Sequence, residues 1–319
     1  MRRLYLLLLP LLTSSIDSCG FSCRYRSAER MPSYMVPLSL SKCTAKNPIK
    51  HCSMRNSTPP AASITVHRPS LYVAMTTIPP RANNLQYAVG SLYRQRRKPD
   101  GVILSASAMY KRFPGQIANL SALDLTSHAH VYGEAAMNMR VERLNTCEDN
   151  GPGTKLLCAL PRLRAIASGY AEDTFAVLLD DDLKYKPWAL QWLERAITDD
   201  PNKARHAYSY DVYTITPEGR AVTGGLYKGL LVGAGHALFA LRLSKLEGIE
   251  DFFTCVRKLE PRATYHDDVI ISMFMQDVRK QPIYRITGTP YEIASKSFPD
   301  VHETTVSFLS PGGADTIGA

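Results

Sequence analysis

Phe175-Ala-Val-Leu-Leu-Asp-Asp-Asp-Leu-Lys-Tyr185 decides how this 319-residue chain reads. A short apolar run of strand formers ends abruptly in Asp180, Asp181 and Asp182, which predicts a buried strand carrying carboxylates at its C-terminal edge. Open α/β sheets bind ligands at that edge. Side chains alternate along extended backbone, so Asp180 and Asp182 can face one way and Asp181 the other. Two hard oxygen ligands on one side suit Mg²⁺ or Mn²⁺ carrying a phosphate. The purely structural alternative is that the cluster favours the N-terminus of a helix expected over Trp188 to Ile197, after Pro187.

The flanking sequence predicts a mostly parallel sheet. Leu71 to Ile78 reads as a first strand stopped by Pro79 and Pro80, and Arg81 to Arg94 as a helix with Leu85, Val89 and Leu92 on one stripe. Gly101 to Ser105 is a second strand and Ala129 to Tyr132 a weaker third. Thr154 to Ser168 is expected to be helical, burying Leu156, Leu157, Leu160, Leu163 and Ile166, and it feeds the strand that ends in the acidic triplet. Strands alternating with helices of this length imply a doubly wound α/β sheet. Beyond it, Ala207 to Ile215 is strand-like, Gly224 and Gly225 mark a turn before Gly229 to His236, and residues 267–277 look helical. Trp188 and Trp192, one helical turn apart, read as core.

The formal charge of +9 is uneven: residues 1–68 hold ten Lys/Arg against two acidic residues, and residues 69–319 hold 28 against 27. No basic stripe with interleaved aromatics appears in the nearly neutral part, so no nucleic-acid partner is expected. Residues 1–18 pair Arg2 and Arg3 with a short apolar run and then small polar residues, the pattern of a secretory signal peptide. The run is shorter than the roughly 20 residues that span a bilayer, so a short signal-anchor is the alternative, and the scarcity of acidic residues leaves an organelle transit peptide open. Residues 19–68 read as a poorly ordered basic stem, 69–300 as the catalytic domain and 301–319 as a loose tail. Of seven cysteines, Cys147, Cys158 and Cys255 fall in the domain. In an oxidising lumen Cys147 and Cys158 could bridge; three free buried thiols are the alternative.

Five elements stand in a suggestive order: Thr76-Thr77-Ile78-Pro79-Pro80-Arg81, Lys155 opening a helix, Asp180-Asp181-Asp182, Gly233-Ala-Gly235, and His266-Asp267-Asp268. Over about residues 70–285 this resembles a nucleotide-sugar glycosyltransferase of the GT-A fold, nearest to the inverting family 2 type and the exostosin-like retaining type. The resemblance implies that Asp180 and Asp182 coordinate Mn²⁺ or Mg²⁺ bridging the diphosphate of the donor. It implies also that Asp181 faces the donor ribose or sugar, and that Thr76, Thr77 and Arg81 hold the nucleotide. A UDP-sugar is the donor by family habit, and a hydroxyl on a glycan, protein or lipid the acceptor.

Lys155 follows Gly151-Pro-Gly153-Thr154, which lacks Walker spacing; it is a phosphate or sugar contact near a helix start, or a surface lysine. Asp267 and Asp268 open an apolar helix, where one can face the cleft while the other caps. In the inverting type the second acid is the base that deprotonates the acceptor, which assigns Asp268; in the retaining type the pair contacts the acceptor or stabilises the transition state. Gly235 and His236 match the acceptor loop, glycine permitting close backbone approach. His236 and His266 are metal-ligand candidates on chemistry alone. The secretory lumen, Golgi or endoplasmic reticulum, is the expected compartment. Two rival readings use the same parts: a metal-dependent phosphohydrolase or nucleotidyltransferase holding two cations, and a non-catalytic carbohydrate-binding protein.

Overall fold

A computed structural model describes residues 68–122, 138–199, 207–217, 219–223, 229–286 and 291–292. The signal segment, nearly all of the stem, the tail beyond 300, the expected strand over Ala129 to Tyr132 and the Gly224-Gly225 turn lie outside the described residues. The chain forms the expected α/β architecture. Its main sheet has seven strands: β1 (Ser70–Thr76), β2 (Gly101–Ser107), β3 (Val141–Cys147), β4 (Thr174–Leu179), β6 (Ala207–Ser209), β10 (Phe239–Arg242) and β11 (Ile283–Arg285), in the order β11-β6-β10-β4-β1-β2-β3. β10 runs antiparallel to both of its neighbours, β4 and β6, while the other pairings are parallel. Among the described residues no helix is long and apolar enough to cross a membrane.

Central placement explains why β4 is apolar throughout. All six of its residues are buried, as expected for a strand covered on both faces. Phe175, Val177 and Leu179 join Leu71, Val73 and Met75 beneath α1 (Leu85–Tyr93) and α4 (Ala189–Thr198). Ala176 and Leu178 join the opposite layer, with α2 (Thr154–Leu157), α3 (Leu160–Ile166), α5 (Ile249–Leu259) and α6 (Asp267–Met273). Trp192 packs against the first layer and Trp188 lies 5.6 Å from it, ring centre to ring centre.

The chain goes from β1 outward to β2 and β3, then returns to place β4 on the other side of β1. This reversal creates the crevice at which open α/β sheets bind ligands. Met75 pairs with Leu179, so the next residues on each strand, Thr76-Thr77 and Asp180-Asp181, emerge side by side. The small strand β5 (Lys184–Tyr185) follows, paired with β12 (Tyr291–Glu292); β7 (Val212–Ile215), β8 (Ala221–Val222) and β9 (Leu230–Gly233) form a separate antiparallel sheet.

Several boundaries differ from the sequence expectation for local reasons. The helix expected from Arg81 begins as a 3-10 turn over Pro79–Asn84, where two prolines lack backbone donors. The helix expected from Thr154 to Ser168 breaks between α2 and α3, because Pro161 cannot donate to the carbonyl four residues earlier. Ala207 to Ile215 divides between two sheets: buried Tyr210 turns aside, its hydroxyl donating to the Ala189 carbonyl at 2.7 Å. Residues 267–277 are α-helical only to Met273, then form a π turn. Edge strand β3 escaped notice because VERLNTC has no regular apolar alternation.

Cys147 and Cys158 are bridged, which overturns the alternative of three free thiols. The bond ties the end of β3 to the end of α2 and closes the loop that carries Asp149 and Lys155. Cross-linking a loop of this size stabilises chiefly by restricting the unfolded chain. The Cys147→Ser/Cys158→Ser double variant is expected to lose about 2–3 kcal/mol of unfolding free energy in urea titration, and an unchanged midpoint would show that the loop does not depend on the bridge.

Candidate active site

The β1–β4 reversal gathers nearly every residue that the sequence singled out. Asp180 and Asp182 keep 34% and 26% of their side chains exposed toward a cavity, whereas Asp181 keeps 1%. The exposures alternate as expected, although β4 ends at Leu179 and Asp181-Asp182 form a turn rather than continuing the strand. Asp181 turns inward, where the Thr77 hydroxyl donates to it at 2.5 Å and an Arg81 Nη lies 2.9 Å away. The other Arg81 Nη is 2.5 Å from Asp182. Arg81 reaches both carboxylates because the Pro79-Pro80 turn brings it back over the end of β1. Thr76 donates to the Ser105 carbonyl at 2.9 Å, so its hydroxyl ties β1 to β2 while the residue lines the cavity.

Lys155 is not the surface lysine of the alternative reading: its side chain is 3% exposed. Its ammonium donates to Asp180 at 2.7 Å and stands 3.3 Å from Asp267. Across the cavity, Asp268 accepts from the Gly235 backbone N–H at 2.9 Å. Neither acid caps α6, whose N-cap His266 makes no side-chain cap bond; the pair instead binds Lys155 and Gly235. His236 lines the cavity with Nε2 3.8 Å from Asp211, and its carbonyl accepts from the Tyr185 hydroxyl at 3.2 Å. That hydroxyl also accepts from the Asp180 N–H at 2.8 Å, which fixes the start of the triplet.

Five carboxylates, Asp180, Asp181, Asp182, Asp267 and Asp268, thus cluster about Arg81 and Lys155, and Asp149 and Arg112 line the same cavity. Burial raises Asp181 to about 7 despite the attraction of Arg81. Asp268 is pushed well above the carboxylate range by burial and then by Asp267. Burial also raises Asp182, against Arg81. Asp180 is the exception, since the Lys155 ammonium outweighs its burial and holds it low. Burial lowers Lys155, but Asp180, Asp267 and Asp268 outweigh that and raise it.

A divalent cation is a group that such a cluster could take, its charge favouring the ionised form of carboxyls that burial otherwise keeps protonated. Among the described residues no three His, Cys, Asp or Glu side chains converge on one point. Mg²⁺ and Mn²⁺ sites on nucleotides need only one or two carboxylates, with phosphate oxygens and water completing the shell; Asp180 and Asp182 are the pair that would supply them, each with one oxygen already bound, to Lys155 and to Arg81.

The cavity measures about 500 Å³. Sequence reasoning missed its far wall: Tyr110, Arg112 and Phe113 from the loop after β2, with Tyr265 opposite. The Arg112 guanidinium lies 5.8 Å from the Phe113 ring centre and 5.7 Å from that of Tyr265. Tyr110 donates to the Thr77 carbonyl at 3.0 Å and accepts from the Ser107 N–H at 3.1 Å. Their signal was position: the loop follows a parallel strand at the sheet's ligand-binding edge.

No protein-family model and no curated protein matches the chain. Among solved structures it is similar to residues 1–349 of S. aureus TarS, with 15% identity, 70% of this chain and 59% of that chain covered, and a TM-score of 0.41. The same fragment has been solved in complex with UDP-GlcNAc. It is also similar to 4-diphosphocytidyl-2C-methyl-D-erythritol synthase, with 12% identity, coverage of 79% and 98%, and a TM-score of 0.36. Glucosyl-3-phosphoglycerate synthase from M. tuberculosis gives 13% identity, coverage of 70% and 72%, and a TM-score of 0.35. The chain thus spans 59% of the TarS fragment. With TM-scores of 0.41, 0.36 and 0.35, the functional reading rests on the site itself.

Arg81→Met leaves Asp181 and Asp182 without their shared cation. Removing one partner of a buried charge group typically costs about 3–5 kcal/mol, so urea unfolding of this variant should show a loss of about 3 kcal/mol or more. A loss well below that would mean that Arg81 is not what holds the triplet.

Proposed function

We propose that the chain is a metal-dependent glycosyltransferase of the GT-A type, moving a sugar from a nucleoside diphosphate donor, a UDP-sugar in the first instance, to a hydroxyl acceptor. The observation that carries this reading is the pairing of two cavity-facing carboxylates at the sheet's reversal point with a third, Asp268, held across the same cavity by Gly235. Asp180 and Asp182 would hold Mn²⁺ or Mg²⁺. That ion, when bound, supplies positive charge where the departing diphosphate becomes more negative.

The chain's own residues do the rest. Arg81 and Thr77 fix Asp181, and Arg81 also orients Asp182. Asp181 is in this reading a positioning residue, since its oxygens are engaged by Thr77 and Arg81 rather than offered to a sugar. The wall of Tyr110, Arg112, Phe113 and Tyr265 offers flat apolar faces and a guanidinium to a nucleoside or sugar and excludes water. Asp268 is the base of the inverting reading: the acceptor hydroxyl would give its proton to this carboxylate in its ionised form, which positive charge brought into the cavity by a bound cation favours over the protonated form that burial and Asp267 otherwise favour. In the retaining reading the same carboxylate contacts the acceptor. The Cys147–Cys158 bridge supports an oxidising, lumenal setting.

Incubation of the full chain with Mn²⁺ and a panel of UDP-sugars tests the assignment. Slow hydrolysis to UDP and free sugar is expected, reduced on the order of 100-fold in Asp182→Ala. Release of UMP and a sugar phosphate would instead mark a phosphohydrolase. With the acceptor identified, Asp268→Asn should lower turnover on the order of 100-fold or more while nucleotide affinity stays within a few-fold; a parallel loss of affinity would contradict the base role.

A further inference from the structure

The two most exposed large hydrophobic side chains among the described residues are Met109, 81% exposed, and Ile117, 70% exposed. Both stand on the loop that follows β2, at the rim of the cavity. Tyr110, Arg112 and Phe113 of that loop line the cavity, while Met109, Lys111 and Ile117 are turned to solvent. Scattered exposed hydrophobics call for no explanation, but two on one short loop beside a site do.

The loop is pinned, so it does not bury these side chains by folding back. At its start the Ala108 N–H donates to the Cys147 carbonyl at 3.0 Å, and the Tyr110 hydroxyl to the Thr77 carbonyl at 3.0 Å. At its end Ala118 and Leu120 are buried. Between them the Phe113 N–H donates to the Tyr110 carbonyl at 3.2 Å and the Gln116 N–H to the Phe113 carbonyl at 3.0 Å. Gly115, with φ +76°, completes this turn. The Lys111 N–H donates to the Asp149 carboxylate at 2.7 Å and its ammonium to the Asp149 carbonyl at 3.1 Å.

The charge around the apolar tips has one sign. Residues 101–123 contain Lys111 and Arg112 and no Asp or Glu, and residues 1–68 add ten Lys/Arg against two acidic residues. Exposed apolar side chains beside basic ones suit an anionic bilayer: the apolar groups leave water for the headgroup boundary, and Lys and Arg meet the lipid charge. We propose that the loop after β2 docks the rim of the cavity on an anionic membrane surface, with Met109 and Ile117 entering the headgroup layer and Lys111 against lipid phosphate. This goes beyond the reaction proposed above and does not depend on it. It brings the mouth of the cavity to the membrane.

The test is co-sedimentation of the full chain with vesicles of phosphatidylcholine, with and without phosphatidylserine, in the absence of metal and nucleotide. Binding is expected to the anionic vesicles, weakened on the order of tenfold in Met109→Ser/Ile117→Ser and about fivefold in Lys111→Ser. Because the basic residues 1–68 could hold vesicles unaided, insertion of the loop is read separately in Ile117→Trp. Its fluorescence should be quenched by anionic bilayers brominated on the acyl chains, beyond the signal that Trp188 and Trp192 give in the unmodified protein. Equal binding to both kinds of vesicle, binding without that quenching, unchanged affinity in the double variant, or no binding would overturn the inference. So would a dimer in solution that the double variant abolishes, since the apolar tips would then belong to a second copy of the chain.

Discussion

The surplus of carboxylate over cation at the junction of β1 and β4 is the constraint on which the rest of the site depends. Asp180, Asp181, Asp182, Asp267 and Asp268 share Arg81 and Lys155. Buried carboxylates without partners are costly and hold on to protons, and burial does raise Asp181, Asp182 and Asp268. Such a cluster is poor design for stability alone. A ligand that brings positive charge to the cavity relieves it, and a nucleoside diphosphate carried by a divalent ion is the ligand class proposed for it.

The scaffold around the cluster serves to aim charges. β4 can be apolar on both faces because helices cover it on both sides, and its register with β1 sets Thr77 beside Asp181. Pro79 and Pro80 turn Arg81 back over the triplet, while the disulfide and the glycine-rich loop carry Lys155 in from below. Tyr185, buried and bonded to both Asp180 and His236, ties the end of β4 to the loop that presents Gly235.

Much of this was legible in the sequence because the key signals were local. An apolar run ending in three acids announces both a buried strand and its carboxylate-bearing edge, but the strand stops at Leu179, and it is the turn after it, with Thr77 and Arg81, that sets Asp181 inward of its two neighbours. Paired prolines after the first strand and an acidic pair opening an apolar helix were equally plain. What escaped depended on tertiary contact. Lys155 reads from its neighbours in the chain either as a contact near the site or as a surface lysine, and only the meeting of α2 with the ends of β4 and α6 shows it buried. β3 lacked an apolar alternation since it is an edge strand with one well-buried residue, Cys147. Tyr110, Arg112, Phe113 and Tyr265 become one wall only when distant segments are folded together.

The most direct measurement of the central claim is calorimetric titration of the full chain with UDP, with and without Mn²⁺. The account predicts that UDP binds at least tenfold more tightly when Mn²⁺ is present, because Asp180 and Asp182 hold the ion that the diphosphate needs. Equal affinity in both conditions, or no binding of UDP or any other nucleoside diphosphate with Mn²⁺ present, would contradict it.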